Sequence, residues 1–284
     1  MKLPPFDYAC PTSLADAVAL LAAHDGEAKP LAGGQSLVPM LAFRVAAPAL
    51  LVDLRKLEEL RQIAISARGV SLGAMVRWCD ILDDVRLRTA HPLLVAAVEH
   101  VAHYQIRNRG TVGGSLAHAD PAAEMPGIAV TCEAAIAVIG KAGARVIAAA
   151  DFFHGPLMTA LAPDEIISEI RLPPWPARRR FGFAEFARRR GDFALAGAAL
   201  FCDPDDGGRV RNAHVGVIGV ADRPLRLAAV EDVLTGRAID HETIAAAAAA
   251  ARAAVDPPDD IHAGGAYRRA LVGTMVERAL QSAA

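Results

Sequence analysis

The chain has 284 residues, 53% of them hydrophobic and 22% charged. That supports one large domain or two to three small ones and excludes a disordered tail or a fibrous protein. Lys and Arg total 30 against 32 Asp and Glu, a net charge of −2, and only 5% of residues are aromatic. A nucleic-acid binder would show a basic excess or stacking aromatics, so that class is disfavoured.

Residues 12–26 predict a helix: Ser13 can cap it, Asp16 follows three residues later, Gly26 can end it, and Leu14, Val18 and Leu21 share one face. Short strands are expected at 29–32 and 50–53, a parallel pair around that helix. A strand at 70–73 precedes a helix near 76–83. Pro92 opens a further helix through about 103, with Leu94, Val98 and Val101 on one face. Residues 107–127 read as turn-rich. Strands are expected at 134–139, 145–149 and 165–172. Pro173-Pro174-Trp175-Pro176 cannot continue a helix or a central strand and marks a boundary. Beyond it come strands at 181–188, 195–202 and 209–217, then helices at 227–234, 243–255 and 266–281. Strands followed by helices predict an α+β unit.

The alanine-rich run at 244–255 is about 12 residues and contains Arg252, whereas a membrane span needs roughly 20. The first residues carry no apolar signal core, so a cytoplasmic protein is expected. Cys10, Cys79, Cys132 and Cys202 are far apart with no C-x-x-C pair. They read as buried small hydrophobes rather than zinc or iron–sulfur ligands.

Two glycine-rich segments stand in apolar surroundings: Ala32-Gly33-Gly34-Gln35-Ser36-Leu37, and Gly110-Thr111-Val112-Gly113-Gly114-Ser115-Leu116-Ala117-His118-Ala119-Asp120. Glycine lets consecutive N–H groups point at one anion, and Ser36, Thr111 and Ser115 add hydroxyls. The chemistry that needs such turns is phosphate binding; two plain tight turns would look the same. No G-x-x-x-x-G-K-[ST], strand-borne G-x-G-x-x-G, G-x-S-x-G or H-E-x-x-H is present. P-loop, Rossmann, α/β-hydrolase and zincin readings are therefore disfavoured.

Residues 103–126, His103 through Pro126, resemble the signature of the FAD subunit of molybdenum hydroxylases, enzymes similar to aerobic carbon monoxide dehydrogenase and bacterial xanthine dehydrogenase. Residues 31–37 are similar to that family's first flavin loop, and Arg189-Arg190-Gly191-Asp192-Phe193-Ala194 to its motif at the start of the C-terminal domain. The resemblance covers essentially the whole chain. It implies a two-part FAD-binding domain of the vanillyl-alcohol-oxidase (PCMH) type at 1–174, with subdomains about 1–56 and 57–174. It also implies a smaller C-terminal domain at 177–284 built from a three-stranded antiparallel sheet plus helices.

By the same resemblance, Ala32, Gly33, Gly34, Gln35, Ser36 and Leu37, with Thr111, Gly113, Gly114 and Ser115, would wrap the FAD diphosphate with backbone N–H groups. His118 would lie beside them. Asp120 and Glu124 would share the nucleotide site, Glu124 reaching a ribose. Ile167 would pack the adenine or the flavin edge, and Asp192 and Phe193 would approach the ring. Some relatives use a Lys in the strand at 181–188; this chain has Ala184, Glu185 and Ala187 there.

No residue is assigned to substrate catalysis or to a metal. Molybdopterin and two-iron two-sulfur clusters would sit on a large and a small partner subunit, in a dimer of heterotrimers. The chain would pass electrons from those clusters to an external acceptor. The alternative, a stand-alone FAD-dependent oxidase, needs an acid or base over the ring, and none is assigned.

His100 and His103 read as a packed or solvated pair on a helix. Arg178, Arg179 and Arg180, and Arg188, Arg189 and Arg190, read as solvated faces. Arg107 and Arg109 would either neutralise a diphosphate or brace the loop through carbonyls. Trp78 and Trp175 read as core anchors.

Overall fold

The computed structural model describes residues 2–283. The N-terminal part runs β1 (Asp7–Ala9), α1 (Leu14–Ala23), β2 (Ala28–Leu31), α2 (Leu37–Ala42) and β3 (Leu50–Asp53). Ser13 caps α1 as expected, its hydroxyl accepting from the Asp16 N–H at 3.1 Å. The three strands form a parallel sheet in the order β1-β3-β2. Strand β1 escapes the sequence reading because it has only three residues, two exposed and one partly buried, and no alternation.

The chain continues with β4 (Ile63–Ser66), β5 (Gly69–Gly73), α3 (Trp78–Asp83), α4 (Leu87–Ala90), α5 (Pro92–Val98), α6 (Tyr104–Arg107), α7 (Val112–His118) and α8 (Glu124–Thr131). Then come β6 (Ala135–Gly140), β7 (Gly143–Ala148), α9 (Ala149–Phe152), the hairpin β8 (Phe153–Gly155) and β9 (Met158–Thr159), and β10 (Ile166–Leu172). A five-stranded antiparallel sheet has the order β4-β5-β10-β6-β7. Strand β10 returns from far along the sequence to fill the middle.

Two expectations are corrected here. The helix expected through 103 stops at Val98, and Ala102 adopts φ +41°, a left-handed conformation that no α-helix accommodates. His100 and His103 are therefore not on one helical face. His100 lies against the Phe183 ring, with centroids 4.9 Å apart. The segment expected to be turn-rich forms α7 and α8. Packing overrides the low helix propensity of its glycines.

The C-terminal part contains β11 (Arg180–Phe186), β12 (Ala196–Pro204), β13 (Val210–Ile218) and β14 (Leu225–Arg226), then α10 (Ala228–Leu234), α11 (His241–Ala253) and α12 (Gly265–Ala283). The expected three-stranded antiparallel sheet is present, and the two-residue β14 adds an edge.

Strand β12 is buried on both faces. Ala198, Leu200 and Cys202 join a core with α10, α11 and α12; Ala199 and Phe201 join the core of the preceding sheet and its helices. That is the two-residue period of a strand used on both sides. Glycine permits the close approaches. A Cβ at Gly216 would come within 3.0 Å of the Thr131 Cβ on α8.

Arg179 is only 12% exposed, paired with Asp203, and its guanidinium lies 4.0 Å over Phe201 and 5.2 Å over Trp175. The first arginine run is thus not uniformly solvated. Trp78 is buried, and Trp175 packs on His91, Phe181 and Phe201, so both serve as anchors. Cys132 and Cys202 are buried, but Cys10 and Cys79 are only partly so.

Candidate functional site

One cleft of about 1310 Å³ runs between the N-terminal sheet, the α7 region and the C-terminal part. Ordinary small-ligand pockets span roughly 300–1,000 Å³, so this one suits a larger molecule. All sixteen residues singled out from the sequence line it: Ala32, Gly33, Gly34, Gln35, Ser36, Leu37, Thr111, Gly113, Gly114, Ser115, His118, Asp120, Glu124, Ile167, Asp192 and Phe193.

The two glycine-rich segments meet each other on its floor. A Cβ at Gly33 would fall 2.8 Å from the Arg109 carbonyl carbon and 2.9 Å from the Gly110 Cα. A Cβ at Gly114 would lie 3.6 Å from the Ala32 Cβ. Gly34 sits at φ +72°, which turns the first segment into α2 at no steric cost. The Gln35 amide donates back to the Gly33 carbonyl at 2.9 Å and locks the bend.

The segments differ in what they offer. Among the described residues, the backbone N–H groups of Gly33, Gly34, Gln35 and Ser36 donate to no acceptor. In the second segment, Thr111 N–H has no acceptor among the described residues, but those of Val112 to Ser115 are already used. Val112 N–H donates to the Val76 carbonyl (2.9 Å), Gly113 N–H to the Ala74 carbonyl (2.8 Å) and Ser115 N–H to the Thr111 carbonyl (3.0 Å). The Gly114 N–H donates to the Thr111 hydroxyl at 3.1 Å, which makes Thr111 the N-cap of α7. The unpaired backbone donors therefore stand in the first segment and, in the second, at Thr111 alone. The second braces the floor and offers the Ser115 hydroxyl.

Arg107 resolves to the bracing alternative. Its guanidinium donates to the Val101 and Ala102 carbonyls, each at 2.9 Å.

Electrostatics sharpen at the far wall. Glu124, at the start of α8, is 8% exposed, and burial raises its carboxyl to about 7, with Asp120 adding to the effect. Asp120 accepts from the Ala122 N–H at 2.8 Å. Burial lowers His118. Ile167 is 4% exposed on β10, beside a register shift. Phe193 is 60% exposed and stands at the rim with Asp192.

Sequence reasoning missed Arg268, which is buried on α12 and also lines the cleft. It donates to the Leu195 and Gly219 carbonyls, each at 2.8 Å, and to Asp260 at 2.6 Å. A lone arginine on an apolar helical stripe is the only signal the sequence carries for it.

Residues 4–175 match the model of the FAD binding domain in molybdopterin dehydrogenase, and residues 181–283 that of the CO dehydrogenase flavoprotein C-terminal domain. The chain belongs to the family of FAD-binding medium subunits of molybdenum hydroxylases.

It is 38% identical over 283 residues to the 6-hydroxypseudooxynicotine dehydrogenase complex subunit alpha of Paenarthrobacter nicotinovorans, covering 100% of this chain and 96% of that protein. It is 37% identical to the caffeine dehydrogenase subunit beta of a Pseudomonas species, with 100% and 96% covered. Quinoline 2-oxidoreductase from Pseudomonas putida 86 superposes with a TM-score of 0.95 at 40% identity, covering 100% of this chain and 98% of that one.

The names of these relatives are those of subunits, so this medium subunit works within a multi-subunit oxidoreductase. Among the described residues, no helix is long and apolar enough to cross a membrane.

The residues fit the FAD of this family. Four unused N–H donors stand together on a bend floored by glycine, which is the donor set an anionic diphosphate needs. The cleft volume, about 1310 Å³, leaves room for the rest of a dinucleotide.

Proposed function

We propose that this FAD-binding subunit carries electrons within a heterotrimeric molybdenum hydroxylase. They arrive from iron–sulfur clusters on a small subunit, themselves fed by a molybdopterin-bearing large subunit, and leave to an external acceptor. The assembly is read as a dimer of heterotrimers in the cytoplasm. The working division is an FAD-binding part at 1–174, with subdomains about 1–56 and 57–174, and a C-terminal part at 177–284.

The observation that carries the reading is the row of unpaired donors from Gly33 to Ser36 in a cleft lined by all sixteen of the singled-out residues. Those four N–H groups would hold the diphosphate, with the Ser36 and Ser115 hydroxyls beside it. Asp120 and Glu124 would meet the nucleotide end. Ile167, Asp192 and Phe193 would flank the ring and keep bulk water from it. FAD supplies the electron exchange; the chain binds, orients and shields it. No side chain here is asked to activate the substrate, which would bind on the large subunit.

Purification together with the subunits that assemble with the chain tests this. The expected result is one FAD per chain, molybdenum and iron in the complex, and bleaching of the flavin absorbance when the complex meets its substrate. A complex that contains all subunits but no flavin would overturn it.

A further inference from the structure

One residue on the cleft wall is explained neither by the fold nor by the glycine-rich segments. Hairpin β8–β9 turns through Gly155-Pro156-Leu157-Met158, and Pro156 and Leu157 at its tip line the cleft. Leu157 sits at φ +57°. Glycine or asparagine is the usual occupant of such a place, one position after a proline in a tight turn. Leucine is strained there, because its Cβ crowds the backbone. Among the described residues, the other non-glycine residues at positive φ are Asp25, Arg44, Ala102, Ala119 and Glu133, and none has a branched apolar side chain.

Interior packing does not account for the leucine. Leu157 belongs to none of the three hydrophobic cores and is 49% exposed. The tip is nevertheless firmly held. The Leu157 N–H donates to the Ala119 carbonyl at 3.1 Å, at the end of the same α7 whose start floors the cleft. At the base of the hairpin, Phe152 and Phe153 are buried edge to face, and the Ala160 N–H donates to the Phe152 carbonyl at 2.9 Å. An apolar side chain is thus fixed beside a cleft at a cost in backbone strain, which is how ligand clamps are built.

We propose that Leu157 is a cofactor-binding residue whose side chain lies on the face of a flat heteroaromatic ring of FAD, the isoalloxazine or the adenine. The inference rests on the reading of the cleft as the FAD site. Both rings are broad and apolar on their faces. Covering one with the Leu157 side chain takes apolar surface of both partners out of water.

The test is the dissociation constant for FAD of the full chain, stripped of flavin, together with the melting temperature of the flavin-free protein. Leu157→Gly removes the side chain and the strain together. Leu157→Asn puts a polar group of similar size in a residue that tolerates the left-handed region. Both raise the constant about three- to tenfold, the share of leucine burial that a half-exposed side chain has left to gain. Leu157→Met keeps an apolar contact and stays within about twofold of wild type. Flavin-free Leu157→Gly melts no lower than wild type, since the relieved strain offsets the freer unfolded chain.

The absorption band of the bound flavin tells the two rings apart. In Leu157→Asn it shifts when the covered ring is the isoalloxazine. It stays in place, with the same loss of affinity, when the ring is the adenine. Wild-type affinity in both the Gly and Asn variants would overturn the proposal. So would a flavin-free Leu157→Gly that melts well below wild type, because the side chain would then be holding the fold rather than the ligand. A wild-type chain that binds no FAD would overturn the reading of the cleft as well.

Discussion

Gly33 lies flat against the backbone of Arg109, so close that a Cβ would stand 2.8 Å from the Arg109 carbonyl carbon and nearer still to its oxygen. The two glycine-rich segments are one packed unit. Gly33→Val should therefore act twice, wedging the segments apart and displacing the donors that follow. Overpacking of this kind costs roughly 1–3 kcal/mol. The expected outcome is a flavin-free protein with a lowered denaturation midpoint, read by flavin absorbance and urea unfolding.

Thr111→Ala removes the cap of α7 and leaves the Gly114 N–H without its acceptor. The loss should be about 1 kcal/mol of stability. FAD affinity should drop only modestly, because the donors of the first segment remain. Thermal melts and flavin titration of the variant check both parts.

His91 sets an acid limit. It is 1% exposed, its Nδ1 accepts from the Leu94 N–H at 3.2 Å, and burial lowers its pKa to about 4 from 6.5. The unfolded chain takes up a proton near 6.5 that the folded chain refuses until about 4. Stability therefore falls as pH drops through that window, by on the order of 3 kcal/mol at full effect. His91→Asn keeps a capping acceptor and loses the titration. Its melting temperature should be lower at pH 7, where ring packing on Trp175 is lost, yet flatter between pH 7 and pH 4.

Arg268→Met should strand the Leu195 and Gly219 carbonyls that the guanidinium now satisfies. Unsatisfied buried acceptors cost roughly 1–3 kcal/mol each. A fall of about 2–4 kcal/mol in urea unfolding is expected, together with weaker FAD retention, because those carbonyls sit on the cleft wall.

Much of this architecture was legible in the residues. Every strand expected from 70 onward appears within two residues of its forecast, because each alternates or runs apolar between turn signals. The C-terminal helices follow the same logic. What failed were elements held by distant partners. Helix α7 forms from Val-Gly-Gly-Ser because Thr111 caps it and Gly113 packs on Ala74, a neighbour nearly forty positions earlier in the chain. The helix from Pro92 ends early because Ala102 turns left-handed, which alanine rarely signals.

At the site, the residue names were readable but their division of labour was not. Which N–H groups are free depends on Ala74 and Val76, which no motif contains. Glu185 was noted only for not being lysine.

Strand β12 has a consequence for how the molecule matures. Its Ala199 and Phe201 complete one core and its Ala198, Leu200 and Cys202 complete another. Neither half can finish burying its interior while that strand is still inside the ribosome. Cofactor loading must wait for nearly the whole chain to be made, and a truncated product offers quality-control proteases an open seam rather than a half-working enzyme.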